Sequence, residues 1–267
     1  MKYDGIVLFS DLDGTLLNDQ RELSAENLKA VRYFVENGGQ FGVATGRMGR
    51  TVYLRFPELP INTPSIFFNG ALVYDHREGK ELLKALISEG FEPVIEVVKA
   101  KYPECGIEIN TTNDAFVIRN NDIIRAQLKR EGLVGIEADL KRVEKGWIKV
   151  LFAGEHTLLE EIKAYILGLN IRDINIMFSE HELLDVMYRG VTKGNALQKL
   201  KSEYKDKWRM VFAVGDNDND AEMLKTADVG IAVDNATSIA KEAVQHIISH
   251  HNTPCIPQVL KIIDSYL

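Results

Sequence analysis

The chain has 267 residues, 45% of them hydrophobic and 27% charged, and its 32 basic and 39 acidic side chains give a net charge of −7. This is the composition of an ordinary globular protein with room for one large domain or two smaller ones, which sets aside fibrous and disordered classes. No block of Lys and Arg offers a surface to nucleic acid, and the N-terminal apolar run Ile6–Phe9 is too short for a signal peptide or a membrane span.

In chain order, Ile6–Phe9 reads as a buried strand that runs into Ser10-Asp11-Leu12-Asp13-Gly14-Thr15. Ser24 can cap a helix whose Leu28, Val31, Phe34 and Val35 share a face, with Gly38-Gly39 ending it. Phe41–Ala44 is a second apolar run, ending in Thr45-Gly46-Arg47, and Ser65–Phe68 is a third, ending in Asn69-Gly70. Continuous apolar runs separated by helices predict a parallel sheet covered on both faces. The rhythm returns late, in Met210–Val214 followed by Gly215-Asp216, in Val229–Val233, and in a short last strand at His246–Ile248.

Between these halves the texture changes. Alternating stretches at Ala115–Ile118 and Ile148–Phe152, with helices near 91–101, 122–131 and 157–167, predict an inserted α+β domain. The expected organisation is a core made of 1–81 and 190–267, with the insert at 82–189. Cys105 and Cys255 lie far apart and suit free thiols in a reducing cytoplasm.

In an open parallel α/β sheet, ligands bind beyond the carboxyl ends of the strands. Asp11 and Asp13 follow the first strand, and Asp216, Asp218 and Asp220 follow the late one. Carboxylates crowded at neighbouring strand ends repel unless a cation or a shifted pKa relieves them. A hard divalent ion fits oxygen ligands, and Mg2+ is the usual choice beside phosphate. Asp218 reads as a turn former. A carboxylate can attack phosphorus to give an aspartyl-phosphate that water then hydrolyses. That chemistry also needs an acid/base for the leaving alcohol and donors for the phosphoryl oxygens. Asp11 at the strand tip is the candidate nucleophile and Asp13, two residues on, the candidate acid/base. Thr45 offers a hydroxyl, and Lys193, at the start of a helix just after the insert, offers the neutralising charge.

Four stretches then match in order: Asp11-Leu12-Asp13-Gly14-Thr15-Leu16, Ala44-Thr45-Gly46-Arg47, Lys193-Gly194, and Gly215-Asp216-Asn217-Asp218-Asn219-Asp220. Together they resemble the haloacid dehalogenase-like (HAD) hydrolases, and among them the Cof-type phosphatases with a large C2-type (IIB) cap. The resemblance covers both core pieces, and the cap is matched by position and length.

It implies a Rossmann-like parallel-sheet α/β core with an inserted α+β cap. It assigns catalysis to Asp11, Asp13 and Lys193, and phosphate or substrate binding to Thr45, Gly46, Arg47, Asn69, Gly70, Lys193 and Asn219. Mg2+ would be held by the Asp11 carboxylate, the Asp13 main-chain carbonyl and Asp216, with Asp220 and Asn219 supporting that shell or binding Lys193. An acid at Asp13 favours phosphoryl transfer over carbon–halogen cleavage. His250-His251-Asn252-Thr253-Pro254-Cys255 departs from the Gly-rich end common in Cof-type members, and its two histidines read as loop residues.

The expected activity is a cytoplasmic, Mg2+-dependent phosphatase hydrolysing small phosphorylated metabolites, sugar phosphates foremost, with no nucleic-acid or membrane partner. The alternatives are a phosphomutase or phosphotransferase, which would use the same motifs, and a receiver-like phospho-aspartate regulatory domain, which would be shorter and lack the insert. The insert is expected to act as a lid, with hinges near 80–84 and 188–191 helped by Gly79 and Gly190. Substrate selection is expected from its Asn110–Asn113 stretch or around Asp185, and Trp147 is expected to serve packing.

Overall fold

All five residues of the first strand, β1 (Ile6–Ser10), are buried, as a fully covered central strand requires. A computed structural model describes residues 1–87 and 90–267 of the chain. In it the chain continues through α1 (Ala25–Glu36), β2 (Gln40–Val43), α2 (Gly49–Arg55), β3 (Ser65–Phe67), β4 (Leu72–Asp75) and β5 (Lys80–Lys84). It then runs through α3 (Glu92–Lys101), β6 (Gly106–Asn110), β7 (Ala115–Arg119), α4 (Asp122–Glu131), β8 (Ile136–Glu137), β9 (Lys149–Ala153), α5 (His156–Gly168), β10 (Ile174–Glu180) and β11 (Leu183–Tyr188). The last stretch holds α6 (Lys193–Glu203), β12 (Met210–Gly215), α7 (Ala221–Thr226), β13 (Val229–Val233), α8 (Ser238–Glu242), β14 (His246–Ile248) and α9 (Ile256–Ser265).

The backbone divides into two compact units. One comprises Met1–Arg47, Phe56–Leu83 and Val191–Leu267, and the other Met48–Arg55 and Lys84–Gly190. In the first unit five parallel strands run in the order β14-β13-β12-β1-β2. The register sets Ser10 beside Val214 of β12 and Val43 of β2, so the residues after all three strands emerge at one edge. Helix α1 starts where Ser24 accepts a hydrogen bond from the Asn27 amide at 3.1 Å. Ala30, Val31 and Phe34 form its buried face, and the chain leaves it at Gly38, whose φ of +95° suits glycine.

The third apolar run departs from the expected parallel sheet. β3 pairs antiparallel with β4 in a separate sheet of order β3-β4-β5, and its link to the main sheet is the parallel bridge Ala44↔Ile66. An apolar run of three residues says that a strand is buried but not which neighbour it chooses. Gly79 takes its positive φ in the β4–β5 hairpin.

The second unit holds a six-stranded sheet in the order β10-β11-β9-β6-β7-β8. Ile107, Ile109, Val150, Phe152, Leu184 and Val186 point from three adjacent strands into one apolar cluster. Ile95 and Val98 of α3, and Leu159, Ile162 and Ile166 of α5, complete it. Trp147 belongs to this cluster and donates its indole N–H to Glu144 O at 2.9 Å, as its packing role anticipates. Among the described residues, no helix is long and apolar enough to cross a membrane.

Candidate active site

The site lies in the first unit, where β1, β2 and β12 end. The Asp11 amide still bonds Val214 O at 2.9 Å, so its side chain leaves the sheet on a rigid base. Lys193 opens α6 behind its cap Thr192, whose hydroxyl accepts from the Asn195 amide at 3.0 Å. The Lys193 ammonium, 1% exposed, donates to Asp11 Oδ1 at 2.6 Å and to Asp220 Oδ1 at 2.7 Å. The other oxygen of Asp220 accepts from the amides of Asp216 and Asn217, at 3.1 and 3.0 Å. Asp216 Oδ1 accepts the Thr15 hydroxyl at 2.7 Å. Asp11, Asp216 and Asp220 each offer a carboxylate oxygen within 4.8 Å of the others.

Electrostatics follow from this crowding. Burial pushes the Asp11 carboxyl well up, and Asp220 and Asp216 push the same way against the pull of Lys193. Burial likewise raises Asp216, with Asp220 adding to it and the Thr15 hydrogen bond opposing. Burial alone would lower Lys193, but Asp11 and Asp220 outweigh it and hold the ammonium above its ordinary value. One ammonium among three carboxylates leaves an excess of negative charge, and the donors are hard oxygens. The set therefore fits a hard divalent cation. Asp220 has both oxygens committed, so it orients Lys193 and the Asp216 loop, whereas Asp11 and Asp216 are the better-placed ligands.

Asp13 stands apart from this cluster. Arg47 grips it with two bonds, Nε to Oδ2 and Nη2 to Oδ1, both 2.7 Å. Arg21 adds its charge, with Nε 3.9 Å from Asp13 Oδ1. Burial would raise the Asp13 carboxyl, yet the Arg47 hydrogen bonds and charge outweigh it and hold it below the usual carboxylate range. This pairing stabilises the fold above that range and is lost as pH falls through the depressed value. Asp13 is therefore ionised here, the form a general base needs. The structure thus gives Arg47 a partner, the acid/base candidate itself.

Thr45, 1% exposed, accepts the Arg47 amide on its hydroxyl at 3.1 Å. The turn after β3 closes over it, with the Asn69 amide donating to Thr45 O at 3.0 Å and the Phe68 amide to Arg47 O at 3.2 Å. Phe68, Asn69 and Gly70 all have positive φ, at 49°, 54° and 107°. Two non-glycine residues in the left-handed region carry strain that the neighbouring loops must hold. A side chain at Gly70 would collide with the Thr192 carbonyl, so glycine here lets the turn meet the start of α6. A Cβ at Gly46 would lie 3.1 Å from Asn69 Oδ1. Asn219 donates to that same Asn69 oxygen at 2.9 Å, so its amide bonds Asn69 while Lys193 is served by Asp220.

The structure brings together Asp11, Lys193, Asp216 and Asp220 in one group, and Thr45, Gly46, Asn69, Gly70 and Asn219 in another beside it. Three contributors lie outside the expected set. Thr15 anchors Asp216, Asn235 donates to Gly14 O at 2.8 Å, and the Thr237 amide donates to Asp216 O at 2.8 Å. Thr15 lies inside a quoted motif, whereas Asn235 and Thr237 follow β13 and carry only the strand-end rule as a signal. His251 proves structural: its ring meets Leu17 O at 2.8 Å and Asp19 Oδ1 at 3.0 Å, tying the C-terminal loop to the segment after Asp13.

Comparison with known proteins gives the family and the fold. The family described as haloacid dehalogenase-like hydrolase matches residues 8–260. The pyridoxal phosphate phosphatase YbhA of Escherichia coli is 26% identical over 273 residues, covering 95% of this chain and 97% of its own. The 5-amino-6-(5-phospho-D-ribitylamino)uracil phosphatase YitU of Bacillus subtilis is 23% identical, with 94% of each chain covered. A haloacid dehalogenase-like hydrolase of Bacteroides thetaiotaomicron shares the fold, with a TM-score of 0.89 at 21% identity over 97% of this chain and 99% of that one.

Proposed function

The chain belongs to the haloacid dehalogenase-like hydrolase family and is a phosphoric monoester hydrolase acting on small phosphorylated metabolites, and we propose that it works through an aspartyl-phosphate on Asp11 with Mg2+ as its ion and hydroxylated metabolites, sugar phosphates foremost, as its substrates. The observation that carries this reading is the Lys193 ammonium bridging Asp11 and Asp220 beside Asp216 at the ends of β1 and β12.

Each side chain takes one task. The Asp11 carboxylate attacks phosphorus and forms the acyl phosphate, while the P–O bond to the alcohol breaks. Lys193, already charged and buried, neutralises phosphoryl oxygens, and Thr45 and its loop supply further donors. The departing oxygen takes a proton from Asp13, and Asp13 later accepts one from the water that cleaves the acyl phosphate. Ionised and held by Arg47, Asp13 stands ready for the second step, and the first requires it to carry a proton. Asp11 and Asp216 would hold the ion with the Asp13 main-chain carbonyl, and Asp220 and Asn219 would brace that arrangement. When bound, the ion supplies charge neutralisation shared between Asp11 and the phosphate.

Two features support the substrate and the setting. YbhA and YitU are named for phosphorylated small molecules, and the YitU substrate carries a phosphorylated ribityl chain. Cys105 and Cys255 are both free and buried, which suits a reducing cytoplasm. We assign substrate selection to the inserted unit. The test is phosphate release from a panel of sugar, alditol and aryl phosphates, with Mg2+ and with EDTA. Mg2+-dependent release is expected, fastest from hydroxylated esters. Release that is indifferent to EDTA would overturn the ion, and release only in the presence of an acceptor alcohol would overturn hydrolysis.

A further inference from the structure

The segment after Asp13 folds into a hairpin that is tied down twice. Leu17 bridges antiparallel to Leu23 across it, and Asn18 builds its tip. The Asn18 side-chain oxygen accepts the Gln20 and Glu22 amides at 3.0 and 2.9 Å, and Asn18 O accepts the Arg21 amide at 2.8 Å. This tip holds Arg21 in the left-handed region, with φ at 59°. A residue with a Cβ adopts that conformation only where its surroundings impose it.

The second tie comes from the C-terminal loop. Asn252 Oδ1 accepts the Asp19 amide at 3.1 Å, and Asn252 Nδ2 donates to Asp19 Oδ2 at 2.8 Å. The His251 ring reaches Leu17 O and Asp19 Oδ1 from the same side. The His251 amide donates to Asn235 Oδ1 at 2.9 Å, and Asn235 holds Gly14 O. All of these residues belong to the first unit.

The hairpin carries a cation to the acid/base. Arg21 Nε stands 3.9 Å from Asp13 Oδ1. The Arg21 and Asp13 side chains are 38% and 41% exposed, against 7% for Arg47. Arg47 is therefore the buried brace, and Arg21 is the guanidinium that a solute can meet. Two guanidinium groups about one carboxylate leave one positive charge over. Against the effect of burial, Arg47, Arg21 and Lys193 all pull the Asp13 carboxyl down, so the surroundings of Asp13 are cationic.

We propose that Arg21 recognises a carboxylate on the alcohol portion of the ester, and that the C-terminal loop positions it for that contact through His251 and Asn252. On the phosphatase reading, on which this inference rests, Asp13 meets the oxygen of the departing alcohol, so a cation beside Asp13 faces the departing portion. The planar guanidinium fork matches a carboxylate. The surplus is a single charge: a carboxylate cancels it, a hydroxyl leaves it, and an ammonium adds to it. Arg21 thereby adds a selecting residue in the first unit to the selection assigned to the inserted one.

The test compares 3-phosphoglycerate with glycerol 3-phosphate on the full chain, two esters that differ by a carboxylate in place of a hydroxymethyl group. In the unaltered chain, kcat/KM is expected to be about fivefold higher for the carboxylate ester, the upper end for a partly exposed ion pair, and the preference is expected to shrink as salt rises. Arg21→Gln is expected to bring the ratio of the two to about one. Asn252→Ala removes both bonds to Asp19 without changing charge, and it is expected to cut the ratio about twofold. Calorimetric titration of the Asp11→Asn chain with the two esters reads the preference without turnover. Failure to release phosphate from either ester, with the preference kept in that titration, would count against the hydrolase reading alone. No preference in the titration, or an equal loss on both esters in Arg21→Gln, would overturn Arg21 as the carboxylate contact. An unchanged ratio in Asn252→Ala would overturn the positioning role of the loop.

Discussion

Two buried polar clusters sit on sheets in this chain, and they are finished differently. At the strand ends of the first unit, Lys193 holds two carboxylates at 2.6 and 2.7 Å, and both oxygens of Asp220 have partners. On the sheet of the second unit, Lys149 meets Asp185 at 3.4 Å, and Glu108 Oε2 and Asp185 Oδ1 have no hydrogen-bond partner among the described residues. A group that reacts must be held rigidly before the substrate arrives, because geometry fixed in advance lowers the barrier. A group that recognises must keep hydrogen-bonding capacity unspent until then. On the proposed function, the tighter saturation of the first cluster suits the group that carries the chemistry.

The largest effect that could break this contrast is the loss of Lys193. Lys193→Met leaves Asp11 and Asp220 buried without their cation, and it is expected to cost about 3–5 kcal/mol of stability and to abolish phosphate release. The matching change on the other sheet, Glu108→Gln, removes a buried charge that has one amide donor, and it is expected to move stability by no more than about 1 kcal/mol. Urea unfolding of both variants decides the matter. Equal losses would show that both clusters are structural.

Next in size is the acid/base. Asp13→Asn is expected to slow turnover by about 10²–10⁴-fold, the usual scale for general acid–base catalysis, with little change in melting temperature. Single-turnover kinetics would show which step suffers. A slow release of phosphate after a normal burst of alcohol would place the loss in hydrolysis of the acyl phosphate, the step served by the ionised form that Arg47 maintains.

Much of the first cluster was legible in the chain. Asp11, Asp13 and Asp216 follow uninterrupted apolar runs, and strand ends are where open α/β sheets place ligands. The pairing of Arg47 with Asp13 was not legible, because the two side chains lie 34 residues apart and meet only through the loop after β2. The neighbour chosen by β3 was hidden for a similar reason, since three buried residues carry no register. The second cluster was only hinted at. Asn110 and Asp185 fell within the stretches expected to select substrate, but Glu108 and Lys149 join them through pairing between strands distant in sequence. Helix α9 carried a plain signal, with Ile256, Val259, Leu260 and Ile263 at helical spacing after Cys255, and a reading led by motifs passes over it.

Arg47 offers a sharper and smaller test within the first cluster. Arg47→Met removes the hydrogen bonds and charge that hold Asp13 low, so the Asp13 carboxyl rises toward or above its ordinary value. The limb of the pH–rate profile governed by Asp13 is expected to move to higher pH by about one unit, a tenfold change in its ionisation at fixed pH. A profile that stays in place while the rate falls would assign Arg47 to substrate binding instead.

The smallest expected effect uses the cysteines, one in each unit. Burial pushes both the Cys105 and Cys255 thiols up to about 12, so neither is a useful nucleophile at pH 8 in the closed fold. A raised thiol pKa favours folding below the ordinary thiol range, and that contribution is lost as pH rises from about 9 toward about 12. At pH 8, labelling must therefore wait for opening, and each cysteine reports on the unit that holds it. On the proposed function, Mg2+ with inorganic phosphate would bind the first cluster and raise the opening cost there. At about ten times the dissociation constant, Cys255 labelling is expected to slow about tenfold while Cys105 labelling holds steady. An equal slowing at both thiols would mean that the units open as one cooperative body, and the two clusters would then share a single stability. A slowing confined to Cys255 would show that the first unit is stiffened by its own ligand while the second opens independently of it.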